Sequence, residues 1–139
     1  IEISTIDYDM RLFYNLYNNL WEACKKNDFS SLSKLINLKN IDLEFKTKEG
    51  WTALIISVYN SSIECVKLLI KNGANINAKN YNNTTVLMYA ISSPFLKNKL
   101  KIIELLIINK VDLHAKDYYG KDVFDWSKNN TAVLELLNR

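Results

Sequence analysis

One pattern constrains this chain more than any other: a block of residues that returns at fixed spacing. The block opens at Gly50-Trp51-Thr52-Ala53-Leu54 and runs through Ile63-Glu64-Cys65-Val66-Lys67-Leu68-Leu69-Ile70. It closes at Gly73-Ala74-Asn75-Ile76-Asn77-Ala78-Lys79. Thirty-three residues after Thr52, Thr85 opens the next copy, which reaches Ile102-Ile103-Glu104-Leu105-Leu106-Ile107 and then Val111-Asp112-Leu113-His114-Ala115-Lys116. Another copy starts at Gly120-Lys121-Asp122-Val123-Phe124 and ends in Val133-Leu134-Glu135-Leu136-Leu137, and a fainter one runs from Leu20-Trp21-Glu22-Ala23-Cys24 to Ile41-Asp42-Leu43-Glu44. A unit this short cannot bury its own apolar face, so the copies must stack and cover one another.

Each unit can be read physically. Ile63, Val66, Leu69 and Ile70 fall on one helical face, and Leu54, Ile56, Ser57 and Val58 turn small and apolar groups toward a neighbour. Thr52 and Thr85 precede apolar runs and suit the N-cap, where a hydroxyl accepts a free backbone N–H; Asp122 does the same in the last copy. Gly73 fits the left-handed residue that closes a helix. Gly50 and Gly120 suit turns with positive φ, and Asn83, the best substitute for Gly there, stands in the third unit. Lys110 occupies the position of Gly73, so Asn109 is expected to take the left-handed role one residue early.

The spacing G-x-T-x-L followed by V-x-L-L-I-x-x-G-A-N-I-N resembles the ankyrin-repeat family over residues 18–139. That resemblance implies an all-α solenoid in which each repeat is a β-turn or hairpin tip followed by two antiparallel helices. The expected division is a capping helix at 1–17, repeat 1 at 18–46, repeat 2 at 47–79, repeat 3 at 80–116 and a C-terminal capping repeat at 117–139. The cap should pack through Tyr8, Leu12, Phe13, Leu16 and Leu20. The family's T-P-L-H reads Thr-Ala-Leu-Ile at 52–55, Thr-Val-Leu-Met at 85–88 and Asp-Val-Phe-Asp at 122–125. Ile55, Met88 and Asp125 thus replace the histidine that ties neighbouring turns, and a less tightly knit turn region is expected. Repeat 3 carries four extra residues between its helices, within 92–99, including the only proline, Pro94. They form a surface loop or, if Phe95 and Leu96 are exposed, a partner contact.

Composition removes several functions. The formal net charge is +3 with no basic stripe, which disfavours nucleic acid. No apolar run reaches the roughly 18–20 residues of a membrane span. Cys24, Cys65 and His114 are too few for a zinc site of the usual kind; both cysteines read as reduced core thiols, and His114 as a turn residue. Asp7 with Asp9, and Asp122 with Asp125, read as acids at helix starts, offsetting the dipole. No phosphate loop or H-E-x-x-H occurs. Catalysis, metal, cofactor and small-molecule substrate are therefore not expected. The chain begins with Ile1, so it reads as a fragment or processed form. It is expected to be monomeric and cytoplasmic, with periplasm or secretion left open.

Recognition remains. The resemblance implies binding of another protein through turn tips and the exposed side of the first helices. That surface maps to Lys48, Glu49, Trp51, Tyr59 and Asn60, then Lys79, Tyr81, Asn82, Thr84, Ser92 and Ser93, then Lys116, Tyr118, Tyr119 and Lys121. Lys25 and Lys26 hold the equivalent helix positions in repeat 1. The aromatic row of Trp51, Tyr81, Tyr118 and Tyr119, flanked by lysines, suits a partner with acidic character. Alternatively these rings pack between neighbouring turns and stiffen the array. A regulatory module within a larger enzyme or channel is the other reading.

Overall fold

The computed structural model describes the backbone of residues 2–139 and the side chains of residues 9–139. Asp7 and Tyr8 therefore lie outside the described side chains. Among the described residues there are eight helices and no strand: α1 (Glu2–Lys25), α2 (Phe29–Ile36), α3 (Ala53–Tyr59), α4 (Ile63–Lys71), α5 (Val86–Ser92), α6 (Lys99–Ile108), α7 (Val123–Trp126) and α8 (Thr131–Leu137). They pair as α1 with α2, α3 with α4, α5 with α6, and α6 packs on α8. First helices stack in the order α1, α3, α5, α7. The result is an all-α solenoid.

The caps follow from local chemistry. Thr52 Oγ1 accepts from Ile55 N, Thr85 Oγ1 from Met88 N, and Asp122 Oδ1 from Asp125 N. Behind them lies a continuous core, in which Leu20, Leu32, Leu69, Val86, Ile103, Leu106 and Val133 have no exposure. Residues 53–58 of α3 are buried throughout, because α3 is covered by α1, α4 and α5 at once.

The helix closures correct one expectation. Lys110 itself is left-handed (φ 63°), while Asn109 is not (φ −85°). The hydrogen bonds dictate this. Lys110 N donates to Ile107 O and Val111 N to Leu106 O, matching Gly73 N to Ile70 O and Ala74 N to Leu69 O. The closure is fixed by the repeat, and a side chain that disfavours the left-handed conformation is held there.

Hydrogen bonds link neighbouring tips and loops. Tyr118 N donates to Asn82 O across neighbouring tips. One loop earlier, Asn75 N donates to Glu44 Oε2 and Asp112 N to Asn77 Oδ1.

At the N-terminal end α1 runs unbroken through residue 17. Its 24 residues reach about 36 Å at 1.5 Å per residue, far longer than α3 beneath it. The overhang explains why Leu12 is half exposed instead of packed. Tyr17 takes the core role: it is buried, its hydroxyl accepts from Asp42 N, and its ring meets Phe45 edge-on at 4.5 Å. Asp9 lies inside α1, not at a helix start.

The insertion in repeat 3 folds back over the preceding turn. Ser93 Oγ donates to Tyr59 O at 2.6 Å, and Ser61 Oγ donates to Phe95 O. Ser93 is therefore buried, not on the exposed surface expected for it. Lys99 Nζ donates to Ser93 O, and burial holds this amine below its ordinary pKa. Phe95 and Leu96 stand exposed at the loop's outer edge.

Candidate partner-binding surface

Three consecutive tips repeat one geometry. Thr47 N donates to Trp51 O, Asn80 N to Thr84 O and Asp117 N to Lys121 O, at 2.9, 3.0 and 2.8 Å. The bend is closed by Gly50 N to Thr47 O, Asn83 N to Asn80 O and Gly120 N to Asp117 O. Gly50, Asn83 and Gly120 all have positive φ, as a turn of this shape demands. The inner residue of each tip is also its acceptor. Thr47 Oγ1 takes Trp51 N–H; Asn80 Oδ1 takes the N–H groups of Asn82 and Thr84; Asp117 Oδ1 takes those of Tyr119 and Lys121. The Lys121 N–H, the Trp126 indole and the Tyr119 N–H hold the Asp117 carboxyl below the usual carboxylate range.

In the second and third tips the inner residue also ties the tip to its helix. Asn80 Nδ2 donates to Tyr89 Oη at 2.8 Å, and Trp126 Nε1 donates to Asp117 Oδ2 at 3.0 Å. Tyr89 Oη also accepts from Trp51 Nε1 of the preceding repeat. The exposed tyrosines divide. Tyr81 lies over Gly50, so close that a Cβ there would meet its ring at 2.8 Å, and Lys46 Nζ sits 5.5 Å from its centroid. Tyr118 and Tyr119 touch each other edge-on and are 72% and 80% exposed. Neither merely fills space between turns.

Beside the tips runs an aromatic groove of about 450 Å³ on the first helices. Trp21, Trp51, Tyr59 and Tyr89 line it over a floor of Ile55 and Ile56, with Glu22, Lys25, Glu49 and Asn60 also on its lining. Tyr59 and Tyr89 meet edge-to-face at 6.0 Å. A second groove of about 490 Å³ shares Trp21, Thr47 and Glu49 with it and adds Tyr14, Phe45, Lys46, Lys48 and Tyr81.

Of the residues expected from sequence, Glu49, Trp51, Tyr59 and Asn60 meet in the first groove, joined by Lys25. Lys48 and Tyr81 lie in the second. Lys79, Asn82, Lys116, Tyr118 and Tyr119 are exposed on the tips, Thr84 is half-buried there, and Lys121 lies beside Trp126. Lys26 stands outside the aromatic groove and pairs with Glu22 at 3.3 Å.

Sequence reasoning missed Trp21, Glu22, Lys46 and Tyr89. A signal existed: the residue four beyond each N-cap, Ile56, Tyr89 and Trp126, lies on the tip side of its first helix, buried at Ile56 and partly open at Tyr89 and Trp126, and Glu22 is its counterpart in α1. Both cysteines are buried, and burial pushes Cys24 up to about 11 and Cys65 to about 12. His114 donates its backbone N–H to Asp112 and stacks its ring on Phe124. Among the described residues, no three His, Cys, Asp or Glu side chains converge on a metal position, and no helix is long and apolar enough to cross a membrane.

A tip followed by paired helices, stacked through first-helix contacts, defines a helical repeat protein of the kind that recognises other proteins. The chain belongs to the ankyrin-repeat family: the family model for ankyrin repeats matches three copies over residues 20–117. It is 30% identical over 119 residues to the mouse B-cell lymphoma 3 protein homolog, covering 83% of this chain and 25% of that one. It is 30% identical over 100 residues to the putative ankyrin repeat protein FPV024 of fowlpox virus, covering 71% and 16%. The crystal structure of EF0377, an ankyrin repeat protein, superposes with a TM-score of 0.78 at 25% identity, covering 86% of this chain and 62% of that one. The chain thus spans a quarter or less of these two curated relatives. Ankyrin repeats are general protein–protein interaction modules, and their fold is typically non-catalytic.

Proposed function

We propose that this chain is a non-catalytic scaffold that docks a partner protein through its turn tips and the concave first-helix surface. The aromatic groove carries this reading. Trp and Tyr bury large area at small entropic cost, which makes them common binding anchors. Trp51 is already held by Tyr89, so little freedom remains to be lost on binding.

Selection of random linear peptides displayed on phage tests the proposal. Peptides enriched on the wild type should bind a Trp51→Ala/Tyr118→Ala variant about tenfold or more weakly, the loss of one hot spot or more. Thermal unfolding should barely change. No enrichment, or equal binding to the variant, overturns the reading.

A second reading is a regulatory module inside a longer enzyme or channel, favoured by the small share of its relatives' length that the chain spans. The intact mass of the native protein separates the two.

A further inference from the structure

We propose that the tips and the adjoining groove receive an acidic, extended peptide segment of the partner; this rests on the interaction reading above and names the partner's chemistry. The first observation is register. Lys46, Lys79 and Lys116 each precede the inner residue of a tip, Thr47, Asn80 and Asp117. Because those inner residues close their tips with the same backbone bond, three ammonium groups recur once per repeat along one edge. Lys48 and Lys121 flank them. Lys48, Lys79, Lys116 and Lys121 are exposed, and Lys46 is half-exposed beside the Tyr81 ring.

The second observation is an asymmetry between cations and anions on that edge. The ion pairs among the described residues are Lys26 with Glu22 and Arg139 with Glu104, so none of the five tip lysines is paired there. The carboxylates are differently placed. Asp117 accepts from Tyr119 N, Lys121 N and the Trp126 indole. Asp122 and Asp125 cap α7 between them. Glu44 holds the backbone of Asn75. Only Glu49 on the tips stays without a partner among the described residues. A carboxylate bound to backbone N–H still acts at a distance, so long-range attraction is modest. At contact, however, both Asp117 oxygens and one oxygen each of Asp122, Asp125 and Glu44 already accept hydrogen bonds, while none of the five lysine ammonium groups donates one among the described residues. Such an edge has more open donors than open acceptors.

The third observation is the track between the lysines. Tyr81, Tyr118 and Tyr119 stand exposed among them. The groove rimmed by Lys46 and Lys48 adjoins the aromatic groove, sharing Trp21, Thr47 and Glu49 with it. An extended chain with carboxylates and an apolar or aromatic side chain fits both features. A nucleic-acid backbone fits worse. Five lysines face five carboxylates, Glu44, Glu49, Asp117, Asp122 and Asp125, which leaves no surplus of positive charge, and phosphate binding strengthens with each charge neutralised.

The probes are a fluorescent peptide of alternating Glu and Tyr, a Gln/Tyr peptide of equal length, and single-stranded oligothymidylate. The Glu/Tyr peptide should bind, lose affinity with salt, and bind a Lys46→Gln/Lys79→Gln/Lys116→Gln variant about tenfold more weakly, the sum of three exposed ion pairs. Circular dichroism should show that variant folded. In the phage selection, acidic sequences should dominate. Equal binding of the Gln/Tyr peptide, no loss in the triple variant, or tighter binding of oligothymidylate overturns the proposal. Enrichment of neutral or basic peptides overturns it while the interaction reading stands; no enrichment at all removes both.

Discussion

The indole nitrogen of Trp51 donates to the phenol oxygen of Tyr89, 3.0 Å away and 38 residues further along the chain. This bond joins a tip of one repeat to the first helix of the next, and it orients the Trp51 ring in the wall of the aromatic groove. Trp51→Phe keeps the ring and removes the donor. It should cost no more than about 1 kcal/mol, since a net neutral hydrogen bond contributes about 0.5–1.5 kcal/mol and this one is exposed. Urea melts measure that cost. Binding of selected peptides should fall far more with Trp51→Ala than with Trp51→Phe; equal losses would assign the effect to the bond instead of the ring.

Leu69 and Leu106 are fully buried in neighbouring second helices. Replacing either by Ala should cost about 2–5 kcal/mol, the range for core cavities. Chemical denaturation reads this directly, and peptide affinity at a temperature where the variant is folded should stay near wild type.

Lys110 is held at φ 63° with a side chain that disfavours it. The left-handed conformation costs a non-glycine residue roughly 1–2 kcal/mol, against about 0.5–1 kcal/mol of extra chain entropy for glycine. Lys110→Gly should therefore stabilise the protein, by up to about 1 kcal/mol. A lowered urea midpoint would contradict that assignment.

Gly50 and Gly73 have similar φ, 90° and 84°, but different surroundings. A Cβ at Gly50 meets Tyr81 at 2.8 Å, and one at Gly73 meets nothing within 4 Å. Both alanine variants should lose the roughly 1–2 kcal/mol of the left-handed backbone. Gly50→Ala should lose more and should shift the NMR signals of Tyr81. Equal losses would mean that Tyr81 does not rest on Gly50.

Burial pushes the Cys24 thiol from 9.0 to about 11 and the Cys65 thiol from 9.0 to about 12. Unfolded thiols ionise first, so between about pH 9 and pH 11 the unfolded chain binds fewer protons than the folded one. Stability present below pH 9 should decline across that window. A Cys24→Ala/Cys65→Ala variant should show a shallower decline on alkaline titration of the urea midpoint. Alkylation of wild type at pH 8 should be slow until the chain unfolds.

What was legible in the sequence was what short-range chemistry decides. Thr52, Thr85 and Asp122 cap their helices through bonds spanning three residues, and such spacing can be read off the chain. Gly50, Asn83 and Gly120 needed only their own backbone freedom. The misreadings lie where a distant contact overrules local preference. Asn109 is the better left-handed residue, yet the closure of α6 falls one position later. Ser93 looked like loop surface until the insertion folded onto Tyr59. Trp21 and Tyr89 became walls of a groove only when α1, α3 and α5 lay side by side. Nothing within a single repeat foretells that.

Each tip separates what holds it from what it displays. Thr47, Asn80 and Asp117 differ in chemistry, yet each closes an equivalent turn from the inside. The two residues that follow each of them point outward: Lys48 and Glu49, Tyr81 and Asn82, Tyr118 and Tyr119. Replacement of those outer pairs leaves the turn's hydrogen bonds untouched. The surface displayed at the rim can therefore be rewritten repeat by repeat, while the architecture that presents it stays fixed.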